Sequence, residues 1–133
     1  MSMLMGKQLL VELYGCDRAR LDDEEFLRSQ SVAAAEAMGA TVVGVHSHRF
    51  QPVGVSIVLV LAESHLALHT WPEQSAASLD VFVCSRAIDP HRAQEHLAEC
   101  LRADRSAEVE LERGNLDAVP PPRWRHTGHA VTR

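Results

Sequence analysis

The chain has 133 residues, of which 46% are hydrophobic, and a formal net charge of -5. This length suits one domain with a real hydrophobic core, and the acidic balance gives no general electrostatic pull toward nucleic acid or anionic lipid. No apolar run approaches the roughly 20 residues of a membrane-spanning helix, and Met1 to Gly6 lacks the basic and apolar regions of a secretory signal, so the cytoplasm is the expected setting.

Gln8 to Tyr14 reads as a strand, and the Gly15-Cys16-Asp17 break leads to Asp22-Asp23-Glu24-Glu25, an acidic run suited to a helix N-terminus. That helix is expected to run to about Met38 and stop at Gly39. Thr41 to Val45 supplies β-branched residues for a second strand, with Ser47 to Pro52 as the connection onward. From Val53 to Ala62 the segment is apolar on both alternating faces, as expected of a central strand covered on both sides. His65 to Trp71 and Leu79 to Cys84 flank a turn beginning at Pro72 and read as an antiparallel hairpin.

Asp89-Pro90 opens a second helix through about Ala103, with Ala93, Leu97 and Leu101 as its buried stripe, and about Ala107 to Glu112 forms a last strand. Residues 119–133, which include the proline run Pro120-Pro121-Pro122, are expected to form a mobile tail, leaving 1–118 as the domain. These elements predict an α+β fold, a two-layer sandwich of one mainly antiparallel sheet with its helices on one face. The sheet's second face then needs a cover, which a homodimer packed through its sheets would provide.

The segment Ala62-Glu63-Ser64-His65 joins two strands so tightly that the Glu63-Ser64 peptide must lie at or beside a turn, where it can be held under strain. If the Ser64 hydroxyl is aimed at the Glu63 carbonyl carbon, an N-to-O acyl shift makes an ester. Loss of the Ser64 α-proton then expels the Glu63 carboxylate, and the dehydroalanine left behind hydrolyses to a pyruvoyl group. Taken alone, the tetrapeptide reads first as an ordinary hairpin turn containing serine.

A longer pattern adds to it. The stretch GVSIVLVLAESHLALHTWPE followed by LDVFVC resembles the core of the prokaryotic S-adenosylmethionine decarboxylase proenzymes, with an ESH cleavage site, an HTWPE segment and a downstream cysteine. LYGCD, GATVV, HRFQPVGVS, DPHRAQEHL and ELERG extend the resemblance in the same order over about residues 7–117. The resemblance implies cleavage after Glu63 into chains 1–63 and 64–133, with Ser64 becoming a pyruvoyl cofactor and no metal required. His69 and Ser56 would assist processing, and Cys84 would be the catalytic acid. Phe50 would stack on the adenine, Glu73 would hold the ribose hydroxyls, and Trp71 would contribute to binding as well as packing. The residue types suit these roles, since an imidazole with a pKa of ~6.5 takes a proton at neutral pH and a thiol can return one. The pyruvoyl carbonyl would react with the substrate's amine and withdraw electrons as carbon dioxide leaves.

Departures from the family pattern bear on the substrate. Ile57 stands where the family has glycine, Gln74 to Ser78 lacks the family's glycine and two tyrosines, and Val83-Cys84-Ser85 replaces TCG. Such changes open ornithine or arginine as alternative substrates for the same chemistry, beside a non-processing regulatory or binding paralogue. Other residues carry plainer readings. His65 and His69 lie about 13 Å apart on an extended strand, too far to share a metal ion, and His46 and His48 lack an apparent third ligand. Cys16 and Cys100 read as structural; three widely spaced cysteines match neither a disulfide framework nor a paired-cysteine zinc site.

Overall fold

The computed structural model describes residues 6–114. Strand β1 (Gly6–Tyr14) is followed by a short helix α1 (Arg18–Leu21) and the longer α2 (Glu24–Ala37). Three strands follow, β2 (Val42–Arg49), β3 (Val55–Leu61) and β4 (Ser64–Trp71), then a 3-10 turn at Pro72–Gln74 and strand β5 (Ala76–Val83). Helix α3 (Pro90–Cys100) and strand β6 (Arg105–Arg113) complete the described residues. Aspartates start all three helices: the side chains of Asp17, Asp23 and Asp89 accept from the backbone N–H groups of Arg20, Phe26 and His91, each at 3.1 Å.

The six strands form one antiparallel sheet in the order β2-β3-β4-β5-β1-β6. Helices α2 and α3 pack on the same face. There Leu9, Leu13, Ile57, Leu59, Leu66, Leu68 and Leu79 are buried with Leu27 and Ala34 of α2 and Ala93 and Leu97 of α3. The α+β sandwich expected from the sequence is the fold found.

Several expected boundaries move. β2 continues through Arg49, where a connection is expected, because Val45 to Arg49 pair in register with Leu59 to Val55. A separate one-turn helix, α1, precedes α2 because Asp17 caps it locally. The strand expected to be central and covered on both faces is neither. β3 is next to the sheet edge, and while Val55, Ile57, Leu59 and Leu61 are buried, Val58 and Val60 are 39% and 46% exposed. Its apolar character on both faces therefore marks a sheet whose second face is bare among the described residues. Trp71 and Val109 are exposed on that open face as well. The expected tail at 119–133 lies outside the described residues.

Candidate functional site

The β3–β4 connection is a two-residue turn, Ala62-Glu63, between the paired residues Leu61 and Ser64. The Ala62 N–H donates to the Thr41 carbonyl at 3.0 Å, which ties the turn to the start of β2. A turn this short drives Glu63 into the left-handed region at φ 67. For a residue with a side chain this costs on the order of 1 kcal/mol, and here the strained residue supplies the carbonyl of the Glu63-Ser64 bond.

Two further features meet at that bond. The Cys84 thiol, just beyond the end of β5, donates to the Glu63 carbonyl oxygen at 3.0 Å. The Ser64 Oγ is buried and has no hydrogen-bond partner. A strained amide, a proton donor on its oxygen and an uncommitted hydroxyl one residue on are the components of backbone self-attack. A serine serving only as turn residue would bond its hydroxyl locally.

Ser56 and His69 face one another across β3 and β4, with Oγ and Nδ1 at 2.7 Å. Beside them His48 lies opposite Ser56, and its ring meets that of the exposed Phe50 edge-on at 4.6 Å. Thr70 locks this end of the sheet. Its Oγ1 donates to the Leu21 carbonyl at 2.7 Å and accepts from the Val55 N–H at 2.9 Å. Glu73 projects, exposed, from the 3-10 turn that follows Trp71. Ser78 lies opposite His69 on the other side and donates to Glu12 Oε2 at 2.8 Å.

The structure thus brings the expected residues together in two groups rather than one. Glu63, Ser64 and Cys84 form the first, and Ser56 and His69, with His48 and Phe50 alongside, form the second. Five residues of extended β4 separate Ser64 from His69, a span of about 16 Å. The helix-side parity of Ile57 also corrects an expectation: the side chain is fully buried in the core, on the face opposite Ser56, and cannot remodel a pocket on the open face. Gln74, Ala76 and Ser78 do face such a pocket, a cavity of about 680 Å³ shared with Trp71, Glu12, Tyr14 and Arg105.

Sequence reasoning missed Asp80, a carboxylate inside the apolar strand β5 and on the open face. Burial pushes its carboxyl up; the charges of His69 and His65 pull it back, and that of Glu12 adds to the rise. Its only sequence signal is a single charge amid LDVFV. Cys16 and Cys100 fit the structural reading, since burial first of all pushes both thiols up to about 11 and disfavours thiolate. Among the described residues no group of three or more His, Cys, Asp or Glu is placed to hold a metal ion.

A chain arranged to attack its own backbone at a hairpin defines a class, the self-processing proenzymes. Residues 7–114 match the family described as S-adenosylmethionine decarboxylase. A relative from Thermotoga maritima, named S-adenosylmethionine decarboxylase proenzyme, is 45% identical over 118 residues, covering 89% of this chain and 91% of the relative. A relative of the same name from Parasynechococcus marenigrum is 47% identical over 116 residues, covering 87% and 91%. The crystal structure of the adenosylmethionine decarboxylase from Aquifex aeolicus superposes with a TM-score of 0.78 at 32% identity, covering 84% of this chain and 92% of that one. The chain belongs to the S-adenosylmethionine decarboxylase family.

Proposed function

We propose that this chain is a self-processing, pyruvoyl-dependent S-adenosylmethionine decarboxylase whose sites are each assembled from two protomers. The observation that carries the processing step is the Cys84 hydrogen bond to the carbonyl of left-handed Glu63, beside the unbonded Ser64 hydroxyl. Ser64 Oγ attacks the Glu63 carbonyl carbon while the Cys84 S–H stabilises the developing oxyanion. The C–N bond then breaks, leaving an ester and a free Ser64 amine. A base removes the Ser64 α-proton, the Cβ–O bond breaks, and Glu63 departs as a carboxylate. Hydrolysis of the resulting dehydroalanine releases ammonia and leaves the pyruvoyl group at position 64.

His69 is that base. With hydrogen on Nδ1 it donates to Ser56 Oγ and keeps Nε2 free to take a proton. At about 16 Å from Ser64 along its own strand it cannot serve the Ser64 of its own protomer. The open apolar face supports the resolution: two protomers pack sheet to sheet with strands antiparallel, which carries the β3–β4 turn of each, with the Glu63-Ser64 bond and Cys84, to the Ser56 and His69 end of the other. Phe50 and Glu73 come with the His69 end and would receive the adenine and ribose there. The pyruvoyl group, once formed, supplies the electron sink for loss of the α-carboxylate. Cys84 Sγ holds the proton returned to the substrate carbon, and Trp71 lines the adjoining cavity.

The site of the reaction is the cytoplasm on this reading; no described helix is long and apolar enough to cross a membrane. The decisive assay is release of labelled carbon dioxide from carboxyl-labelled S-adenosylmethionine, with borohydride reduction attaching the substrate's amine to the new N-terminus at 64. Intact chain with no blocked N-terminus at 64, or release from ornithine or arginine alone, contradicts the proposal.

A further inference from the structure

The loop that carries Phe50 is closed by its own backbone and then held from outside by one side chain. The Phe50 N–H donates to the Gly54 carbonyl at 2.8 Å, which brings the end of β2 and the start of β3 together around residues 51–53. Gly54 has φ 110, and a Cβ there would lie 3.2 Å from the Thr70 carbonyl oxygen, so glycine lets the loop sit close against β4. The outside hold is Asp22, at the junction of α1 and α2. One of its carboxylate oxygens accepts from the buried Gly54 N–H at 2.9 Å, and the other accepts from Arg49 Nη2 at 2.9 Å. Arg49 Nη1 also donates to the Asp22 carbonyl. The residue before Phe50 and the residue that closes its loop are therefore tied to the same aspartate.

Asp22 is itself anchored. Its backbone N–H caps α1 through the Ala19 and Arg20 carbonyls. Leu21 before it is fully buried, and the Leu21 carbonyl accepts from Thr70 Oγ1 at 2.7 Å. Thr70 follows His69 on β4, so a short chain of bonds runs from the strand of the base through Leu21 and Asp22 to the loop of Phe50. The Gly54 N–H first of all, and then Arg49, hold the Asp22 carboxyl below its ordinary value against the opposing effect of burial, so the group is charged at neutral pH. Hydrogen bonds to a charged acceptor are shorter and stronger than neutral ones.

We propose that Asp22 is a positioning residue for substrate binding, holding the 49–54 loop so that the Phe50 ring stays in place to stack on the substrate's adenine. The inference rests on the reading of Phe50 as the adenine's partner given above. Two observations favour positioning over stability alone. The Arg49–Asp22 pair lies at the surface, where an ion pair adds little to folding, yet it serves a loop whose Phe50, Gln51 and Pro52 are exposed and contribute little to the core. Phe50 is 46% exposed, with the His48 ring edge-on beside it at 4.6 Å, so the placement of its ring depends on the backbone beneath it.

Steady-state kinetics of the processed enzyme with carboxyl-labelled S-adenosylmethionine read this directly. Asp22→Ala loses both side-chain bonds and should raise KM about tenfold with kcat within about twofold, since a stacking contact far from the reacting carbon is uniform binding. Asp22→Asn keeps an acceptor for the Gly54 N–H but not the charge facing Arg49, and Arg49→Met removes the other partner; each should raise KM by about threefold. Self-cleavage should run at the wild-type rate in all three, because Phe50 takes no part in it. Unchanged KM in Asp22→Asn and Arg49→Met overturns the proposal, even if Asp22→Ala fails to accumulate as folded protein. The specific readout is a double-mutant cycle with Phe50→Ala. If Asp22 acts through Phe50, adding Asp22→Asn to Phe50→Ala leaves KM where Phe50→Ala alone puts it. A fully additive effect shows that Asp22 acts by another route and overturns its positioning role. Phe50→Ala separates the two levels. If it raises KM while the Asp22 variants do not, the adenine reading stands and the positioning role fails. If it leaves KM unchanged, the adenine reading of Phe50 fails and the role of Asp22 falls with it.

Discussion

The two ends of β4 hold opposite kinds of order. At the Ser64 end the backbone is strained, a hydroxyl is buried without a partner, and a thiol donates to the Glu63 carbonyl. At the His69 end the polar groups are satisfied: Ser56 and His69 bond one another, Thr70 joins β3 to the Leu21 carbonyl, and Ser78 bonds Glu12. The contrast separates a substrate from a tool. On the proposed reading the first end changes covalently, the second holds a base steady, and the strand between them makes each site depend on two protomers.

Substitutions sharpen that contrast in order of their expected effect. Ser64→Ala removes the nucleophile, and mass spectrometry under denaturing conditions should find only uncleaved chain; cleavage at the same bond would end the mechanism. His69→Ala should stall processing at precursor or at an ester that hydroxylamine cuts, which places its failure after the first attack. Cys84→Ala should still give chains 1–63 and 64–133, more slowly because the Glu63 oxygen loses its donor, and should lose about 10²–10⁴-fold in turnover. Full carbon dioxide release by processed Cys84→Ala would return the thiol to a purely structural role.

Smaller changes probe strain and parity. Glu63→Gly fits the left-handed turn without penalty, and relief of about 1 kcal/mol should slow cleavage roughly five-fold while stabilising the precursor. Faster cleavage would show that strain at Glu63 does not drive the attack. Ile57→Val should cost about 0.5–1.5 kcal/mol of stability with KM unchanged, because this side chain packs against the helices. A shift in KM without loss of stability would place it on the wrong face.

Much of this is legible in the residues. Alternation, turn chemistry and aspartate caps locate most elements, and the ESH and HTWPE segments point to the family and to candidates for its nucleophile, base and acid. What they conceal is distance. Residues five apart in a sequence look adjacent, yet on an extended strand Ser64 and His69 are at opposite ends, and only the observed register of β3, β4 and β5 separates them. The double-sided apolar run of β3 suggests burial in a sheet centre, but Val58 and Val60 are bare because nothing among the described residues covers them. Ile57 misleads for a related reason: Ser56 and Ile57 are neighbours in sequence and occupy opposite faces in space. Asp80 escapes a reading by sequence because its significance depends on which side chains lie across the sheet from it.

The claim that each site draws on two protomers is tested most directly by mixing lesions. Ser64→Ala and His69→Ala are each expected to be inert as homodimers. In a heterodimer one site carries both lesions and the other carries neither, so co-expression should restore cleavage of the His69→Ala chain and up to half the wild-type activity per dimer. If the co-expressed variants stay uncleaved and inactive while the heterodimer is present, each protomer must complete its own site, and assembly of the site from two protomers is contradicted.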